Sequence, residues 1–302
     1  MNAILKFLAS TTPSLAKKYK RWQKKRTIRM KKKQLECKRP VDGDQLVAQL
    51  ADAGMMAGAN YFVQSSLSTI GPITGGARTV IQSLFKVIGS EGTLLMPSNT
   101  VKTSMLEFVS STSCVDLRTA PSYLGVISEM FRTYPGVLRS THPTHPVCGL
   151  GPNASRLFSD STQATTPCGH HTPYIHLSEM ADAYIVHLGS DFHQTTLAHT
   201  LEDIVENFPV KIYLDRNYTV DCIDTGGTKH SFTLKVHNPA VAKLRLDRTG
   251  KDYHTVPFFM LLKENSQITE FPFGNGTGLL FRAKDFLNCL ERLLRLDITI
   301  YQ

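Results

Sequence analysis

Between residues 42 and about 210, segments with a helical period alternate with short apolar runs, and this alternation constrains the fold more than any other feature of the chain. Residues 42–56 place Leu46, Val47, Leu50 and Ala53 on one helical face and stop near Gly54. Residues 60–63 form a short strand-like run that leads into a serine-rich loop. A second amphipathic helix covers 76–88, closed by Gly89, and 92–97 reads as a buried strand. Residues 123–134 repeat the helical pattern up to Pro135-Gly136, 184–189 are strand-like, and 198–208 read as a helix stopped at Pro209. Segments in this order bury their apolar faces by layering, so the expected class is α/β: a mixed β-sheet flanked by helices on both faces. Residues 210–260 depart from the pattern. Short strand segments at 211–214, 218–223 and 231–236 surround Thr225-Gly226-Gly227-Thr228, which predicts a small β-rich flap. Residues 286–296 read as a closing helix.

Charge divides the chain in two. Residues 1–40 hold 14 Lys and Arg against the single acidic Glu36, whereas the remaining residues hold 20 basic and 24 acidic groups. The formal net charge of +9 therefore belongs to a basic arm, and the body, residues 41–302, is mildly acidic. The arm interleaves Tyr19 and Trp22 with its lysines and begins with the apolar Ile4, Leu5, Phe7 and Leu8. It suits either a solvated tail or an amphipathic element on an anionic membrane surface. Nucleic acid is a poorer partner, because no reading module follows and the body is acidic. Six cysteines lie without CxxC spacing, which argues against a disulfide framework and for a reducing, cytoplasmic setting. No apolar run is long enough to cross a membrane, and the N-terminus lacks a signal-peptide pattern.

Eight of the eleven histidines fall between residues 142 and 199, and that window ends in Thr195-Thr196-Leu197-Ala198-His199-Thr200-Leu201-Glu202. A histidine and a carboxylate three positions apart share a helical face, so Glu202 can hold and polarise His199. Placed after a strand and a polar loop, His199 could take a proton from an amine while the Thr196 hydroxyl faces a developing oxyanion. The same pair also serves as an ordinary surface contact. Upstream, residues 64–76 contain Ser65, Ser66, Gly71, Gly75 and Gly76 between a strand and a helix. This composition lets a backbone approach phosphates, and it equally makes a plain turn; it matches neither GxGxxG nor GxxxxGK[ST]. A third loop, Arg139-Ser140-Thr141-His142-Pro143-Thr144-His145-Pro146, is stiffened by its prolines. Arg139 and His142 either meet an anion there or satisfy backbone carbonyls. No metal is expected. HExxH is absent, and His142/His145 and His170-His171 have no carboxylate or cysteine at a usual ligand spacing. Ser65 and Ser66 lack a GxSxG context, and Cys148 reads as a buried, inert thiol.

Taken in order, these pieces resemble the aminoglycoside N3-acetyltransferase family, the antibiotic-acetylating enzymes unrelated in fold to GNAT proteins. The similarity runs from about Asp42 to Arg282. It is carried by Ser65-Ser66-Leu67 with Gly71 and Gly75-Gly76, by Glu91-Gly92-Thr93-Leu94-Leu95-Met96-Pro97, by Gly125 and by Pro135-Gly136-Val137. It continues through Arg139-Ser140-Thr141-His142-Pro143, Gly149, Ala154 and Thr172-Pro173 to Leu188-Gly189 ahead of His199. The resemblance implies acetyl transfer from acetyl-CoA to an amine without a covalent acyl-enzyme. By position it makes His199 the base, Glu202 its orienting acid and Thr196 the hydroxyl near the thioester carbonyl. It gives Ser65, Ser66, Gly71, Gly75, Gly76, Arg139, Ser140 and His142 to the coenzyme. The departures concern the acceptor: His193 stands where the family commonly carries a loop aspartate, and the carboxylates between 98 and 210 are not abundant enough to mark a polycation site. The basic arm also repels a polycation at long range. The resemblance by itself implies an aminoglycoside acceptor, as in antibiotic resistance, and these departures point instead to an amino sugar. The alternatives are a metal-assisted hydrolase using the histidine-rich window and a catalytically silent binding module of the same fold.

Overall fold

The structure is a computed structural model that describes residues 37–248 and 255–301, together with Tyr19, Trp22 and Arg26. The basic arm expected at 1–40 thus lies almost wholly outside the described residues.

The described residues form ten strands: β1 (Asn60–Ser65), β2 (Thr93–Pro97), β3 (Cys114–Asp116), β4 (Leu138–Arg139), β5 (Val147–Leu150), β6 (Ala183–Leu188), β7 (Tyr213–Ile223), β8 (Lys229–His237), β9 (Thr269–Phe273) and β10 (Gly276–Arg282). Seven of them form one mixed sheet in the order β4-β5-β2-β1-β6-β10-β9. β2, β1 and β6 run parallel at its centre, and antiparallel β5 and β10 border them. Period-two alternation sorts their side chains cleanly. Phe62, Leu95, Ile185 and Phe281 point to one face, where the helices Pro173–Glu179, Pro257–Asn265 and Ala283–Leu294 cover them. Tyr61, Val63, Leu94, Met96, Val186 and Leu188 point to the other, under the helices Gly43–Asp52, Ala77–Ile88 and Val126–Arg132. Helices therefore cover both faces, as the alternation predicts. Each fully buried Leu or Phe in these layers contributes roughly 2 kcal/mol.

Local chemistry explains where the elements begin and end. The helix Gly43–Asp52 starts with a capping box: Asp42 Oδ1 accepts from the Gln45 N–H, and the Gln45 amide oxygen accepts from the Asp42 N–H. The segment 198–208 forms less helix than its pattern predicts, a 3₁₀ turn Thr196–His199 followed by Thr200–Ile204. The chain leaves helical geometry at Val205, four residues before Pro209. The β9–β10 hairpin is an addition that the alternation does not reveal. It completes the sheet beyond β6, with Phe271 and Phe273 buried and Pro272 exposed between them.

The flap is a second sheet, ordered β3-β7-β8, with its own core of Val115, Val220, Phe232, Leu234 and Val236. Its tip is closed by Asp224, which accepts from the Gly226 and Thr228 N–H groups. Between β8 and the Pro257–Asn265 helix the described residues are helical or irregular, so the β-structure described within 210–260 is that of β7 and β8.

From β1 the chain crosses to β2 on one side, while β6 lies on the other. The loops after β1 and β6 lie together at the carboxyl ends of the parallel strands, where α/β sheets hold their ligands in a crevice.

Candidate active site

Two loops meet in that crevice, and short contacts fix them to each other. Gly189 ends β6 at φ 75°, and a side chain there would collide with Thr69 and Ile70. The Thr69 hydroxyl hydrogen-bonds the carbonyls of Gly189 and Ser66, at 2.5 and 2.7 Å. Gln64, the last half-buried residue before Ser65, clamps the second loop. Its amide donates to the Gln194 carbonyl (2.9 Å), and its oxygen accepts from the Thr196 N–H (3.0 Å). His187 is fully buried below and shares hydrogen bonds with Ser190 Oγ and Thr195 Oγ1. Burial lowers its pKa to about 3, so it is a neutral brace for the loop.

The loop delivers Thr196 and His199 to one cleft. His199 Nδ1 lies 2.6 Å from Glu202 Oε1, across the turn that the spacing predicts. Glu202 has a side chain only 1% exposed, and its second oxygen accepts from the Tyr301 hydroxyl at 2.7 Å. Burial alone would raise the Glu202 carboxyl. The charge and hydrogen bond of His199, the charge of His237 and the Tyr301 bond outweigh it, holding the group at about 2. On the other side of the ring, Arg245 Nη2 stands 2.8 Å from His199 Nε2, while Asp247 receives bonds from Arg245 Nε (3.0 Å) and Nη2 (2.8 Å). A guanidinium only donates, so Nε2 is the acceptor and Nδ1 carries the proton shared with Glu202. Tyr301, Arg245, Asp247 and Gln64 have no signal in the local sequence around His199. A backbone bond from the Leu246 N–H to the Ile300 carbonyl (2.8 Å) is what sets Arg245 and Tyr301 on either side of the His199–Glu202 pair.

The cleft has a volume of about 600 Å³ and is lined by Asn99, His145, Thr196, His199, Lys243 and Arg245 among others. A neighbouring cleft of about 530 Å³ is lined by Thr69, Gly189, Ser190, Phe259, Met260 and Lys263. Residues 189–196 form the wall between the two. The residues expected to hold the coenzyme fall elsewhere. Arg139 is buried and donates to the carbonyls of Leu117 (3.0 Å), Ala120 (2.6 Å) and Ser98 (2.8 Å). Desolvation brings its pKa down to about 10. Ser140 Oγ accepts from the Val147 N–H, and His142 Nδ1 accepts from the Thr144 and His145 N–H groups. His142 is held neutral by burial, with a pKa near 3. Arg139 thus satisfies backbone carbonyls, whereas Ser140 and His142 Nδ1 accept from backbone N–H groups, and none of the three lines either cleft. Ser65 Oγ is buried, and Ser66 Oγ pairs with Ser68 Oγ at 3.3 Å. Gly71, Gly75 and Gly76 all have positive φ and shape the turn into the Ala77–Ile88 helix; a side chain at Gly71 would press on Asn275. None of these eight residues lines either cleft.

Among the described residues, Glu202, Asp203 and His237 bring possible metal ligands within 4.8 Å of one another. Their carboxylates are already engaged: Glu202 as above, and Asp203 with the Cys168 N–H (2.7 Å) and the Tyr213 hydroxyl. His142, His145, His170 and His171 stay outside this group. All six cysteines are free thiols, with Cys148 fully buried as expected. No described helix is long and apolar enough to cross a membrane.

The fold and site together define a class: an α/β protein holding a carboxylate-anchored histidine in a cleft at the carboxyl ends of its parallel strands. The family described as aminoglycoside 3-N-acetyltransferase matches residues 62–295, and the chain belongs to that family. Its relatives include the SPbeta prophage-derived aminoglycoside N(3')-acetyltransferase-like protein YokD of Bacillus subtilis (strain 168), 30% identical over 179 residues. That alignment covers 54% of this chain and 65% of the relative's length, so the chain matches less than two thirds of it. Among solved structures, the aminoglycoside acetyltransferase AAC(3)-Xa superposes with a TM-score of 0.72 at 22% identity, covering 91% of this chain and 99% of that one. AAC-IIIb, solved as a binary complex with CoASH, has a TM-score of 0.69 at 20% identity, covering 86% of this chain and 98% of that one. At these identities the superpositions establish the shared fold.

Proposed function

We propose that the protein transfers an acetyl group from acetyl-CoA to an amine by direct attack, with His199 as general base. One observation carries this reading: the His199 proton is tied to buried Glu202, so Nε2 is the acceptor nitrogen of the ring, and it sits beside a cleft that Thr196 also lines, with Arg245 Nη2 donating to it at rest. Family membership and the CoASH complex of a structural relative support acetyl-CoA as donor.

The amine nitrogen attacks the thioester carbonyl carbon, forming the new C–N bond, and its proton passes to His199 Nε2. Negative charge builds on the carbonyl oxygen, and the Thr196 hydroxyl, which has no hydrogen-bond partner among the described residues, is placed to donate to it. The C–S bond then breaks, and the coenzyme thiolate leaves and takes up the proton held by His199. Glu202 stays ionised throughout and stabilises the imidazolium, while Tyr301 fixes the carboxylate's orientation. A positioned base of this kind contributes about 10²- to 10⁴-fold. In this reading Arg139, Ser140 and His142 brace the loops, and Ser65, Ser66, Gly71, Gly75 and Gly76 shape the crevice without binding the coenzyme's phosphates themselves.

The test is thiol release from acetyl-CoA over a panel of aminoglycosides and amino sugars, with mass spectrometry of the products. Amine-dependent release with N-acetylated product is expected. Failure of the protein to bind acetyl-CoA, or release that ignores the amine, would overturn the reading.

A further inference from the structure

His199 cannot act as a base in the arrangement just described, because the lone pair it needs is occupied. Arg245 Nη2 donates to it from 2.8 Å, in a residue only 7% exposed and anchored by two bonds to Asp247. Something must draw the guanidinium away before an amine can lose its proton. We propose that an acidic group on the acceptor does so: Arg245 reads a carboxylate or phosphate a few bonds from the reacting amine, and this engagement uncovers His199. The proposal rests on the acetyltransferase reading and names the acceptor class for that same cleft.

The charges around the cleft favour such an acceptor over a polycation. Of the lining carboxylates, Asp247 is committed to Arg245, and Asp203 has a fully buried side chain already bound by Tyr213 and the Cys168 N–H. Lys243, exposed on the same wall, has no acidic partner among the described residues. A polycation entering here meets cations and, among the described residues lining the cleft, finds no free carboxylate. A neutral amine offers the guanidinium nothing in exchange for His199 Nε2. An anion offers two oxygens to a planar fork of donors, a charge-assisted pairing stronger than a bond to a neutral ring nitrogen. The coenzyme's own phosphates do not fit this role. With the thioester beside Thr196, the long pantetheine arm carries them well away from a guanidinium in contact with His199.

The experiment compares glucosamine with muramic acid, the same amino sugar without and with a carboxylate beside its amine, and includes gentamicin as the polycation. Thiol release is measured with the full chain, and binding of each amine is measured by calorimetry in the presence of CoA. The wild type is expected to prefer muramic acid by about tenfold or more in kcat/KM, the scale of one charge-assisted pair. Arg245→Met should collapse that ratio, and Arg245→Lys should restore part of it. Equal handling of the two sugars, faster turnover of gentamicin, or a ratio untouched by Arg245→Met overturns the proposal, as does muramic acid that neither binds nor reacts. The wild-type ratio stands as a test even if the Arg245 variants fail to fold. A ratio lost in Lys243→Met but kept in Arg245→Met moves the anion to Lys243 and overturns the role of Arg245. Carboxylate-dependent binding through Arg245 with no thiol release from any amine upholds the anion site and refutes the acetyltransferase reading instead.

Discussion

At the scale of single residues, the Glu202 carboxylate sits between two donors, the His199 ring at 2.6 Å and the Tyr301 hydroxyl at 2.7 Å, with its side chain 1% exposed. Glu202→Gln keeps the shape and removes the charge that stabilises the imidazolium, so kcat should fall by about 10²-fold while coenzyme affinity is unchanged. Tyr301→Phe removes only one orienting bond and should cost several-fold; steady-state kinetics with calorimetric binding separates the two effects. Acid stability follows from the same group. Its folded pKa is near 2, below the ordinary carboxylate value. Its contribution is therefore complete above about pH 4.3 and is lost as pH falls toward 2. Denaturant titrations of the wild type and Glu202→Gln should thus differ most at neutral pH and converge in that acid window. The His199–Glu202 pair was legible in the sequence because its spacing is local. Its other partners were not, since Arg245 lies 46 positions from His199 and Tyr301 lies 99 from Glu202. The surroundings of Arg139 and His142 were not legible for a related reason: a buried arginine amid converging carbonyls and one facing a phosphate have the same local sequence.

At the scale of elements, the loop after β6 is set by its hinge. Gly189 has φ 75° and abuts Thr69 and Ile70, so Gly189→Ala meets both backbone strain and a collision. It should lower the melting temperature and reduce kcat at least tenfold, because Thr196 and His199 ride on the displaced loop. A melting curve unchanged with kcat intact would show that the hinge is not needed. The helices and parallel strands were readable because each carries a long amphipathic or apolar pattern with a glycine or proline stop. The β9–β10 hairpin was hidden: Pro272 and the Gly274-Asn275-Gly276 turn masked the alternation of Phe271 and Phe273. The helix after His199 was over-read. Its apolar pattern continues past the point where the chain turns, and no local residue marks the stop at Val205.

At the scale of the whole molecule, the mixed sheet places every group of the proposed chemistry within residues 64–301, from Gln64 at the end of β1 to Tyr301. Deleting residues 1–36 should therefore leave thiol-release kinetics within about twofold of the full chain. A loss of turnover would place the arm in the catalytic cycle. The α/β class and the His199–Glu202 contact could be anticipated from order and spacing. The Leu246–Ile300 contact that assembles the two sides of the site could not, because it joins distant irregular segments. The central claim is that His199 takes the acceptor's proton, and single-turnover thiol release by His199→Ala beside calorimetric binding of acetyl-CoA tests it most directly. The account predicts coenzyme affinity within a few-fold of wild type and a rate lower by about 10²- to 10⁴-fold. An unchanged rate in that variant would contradict it.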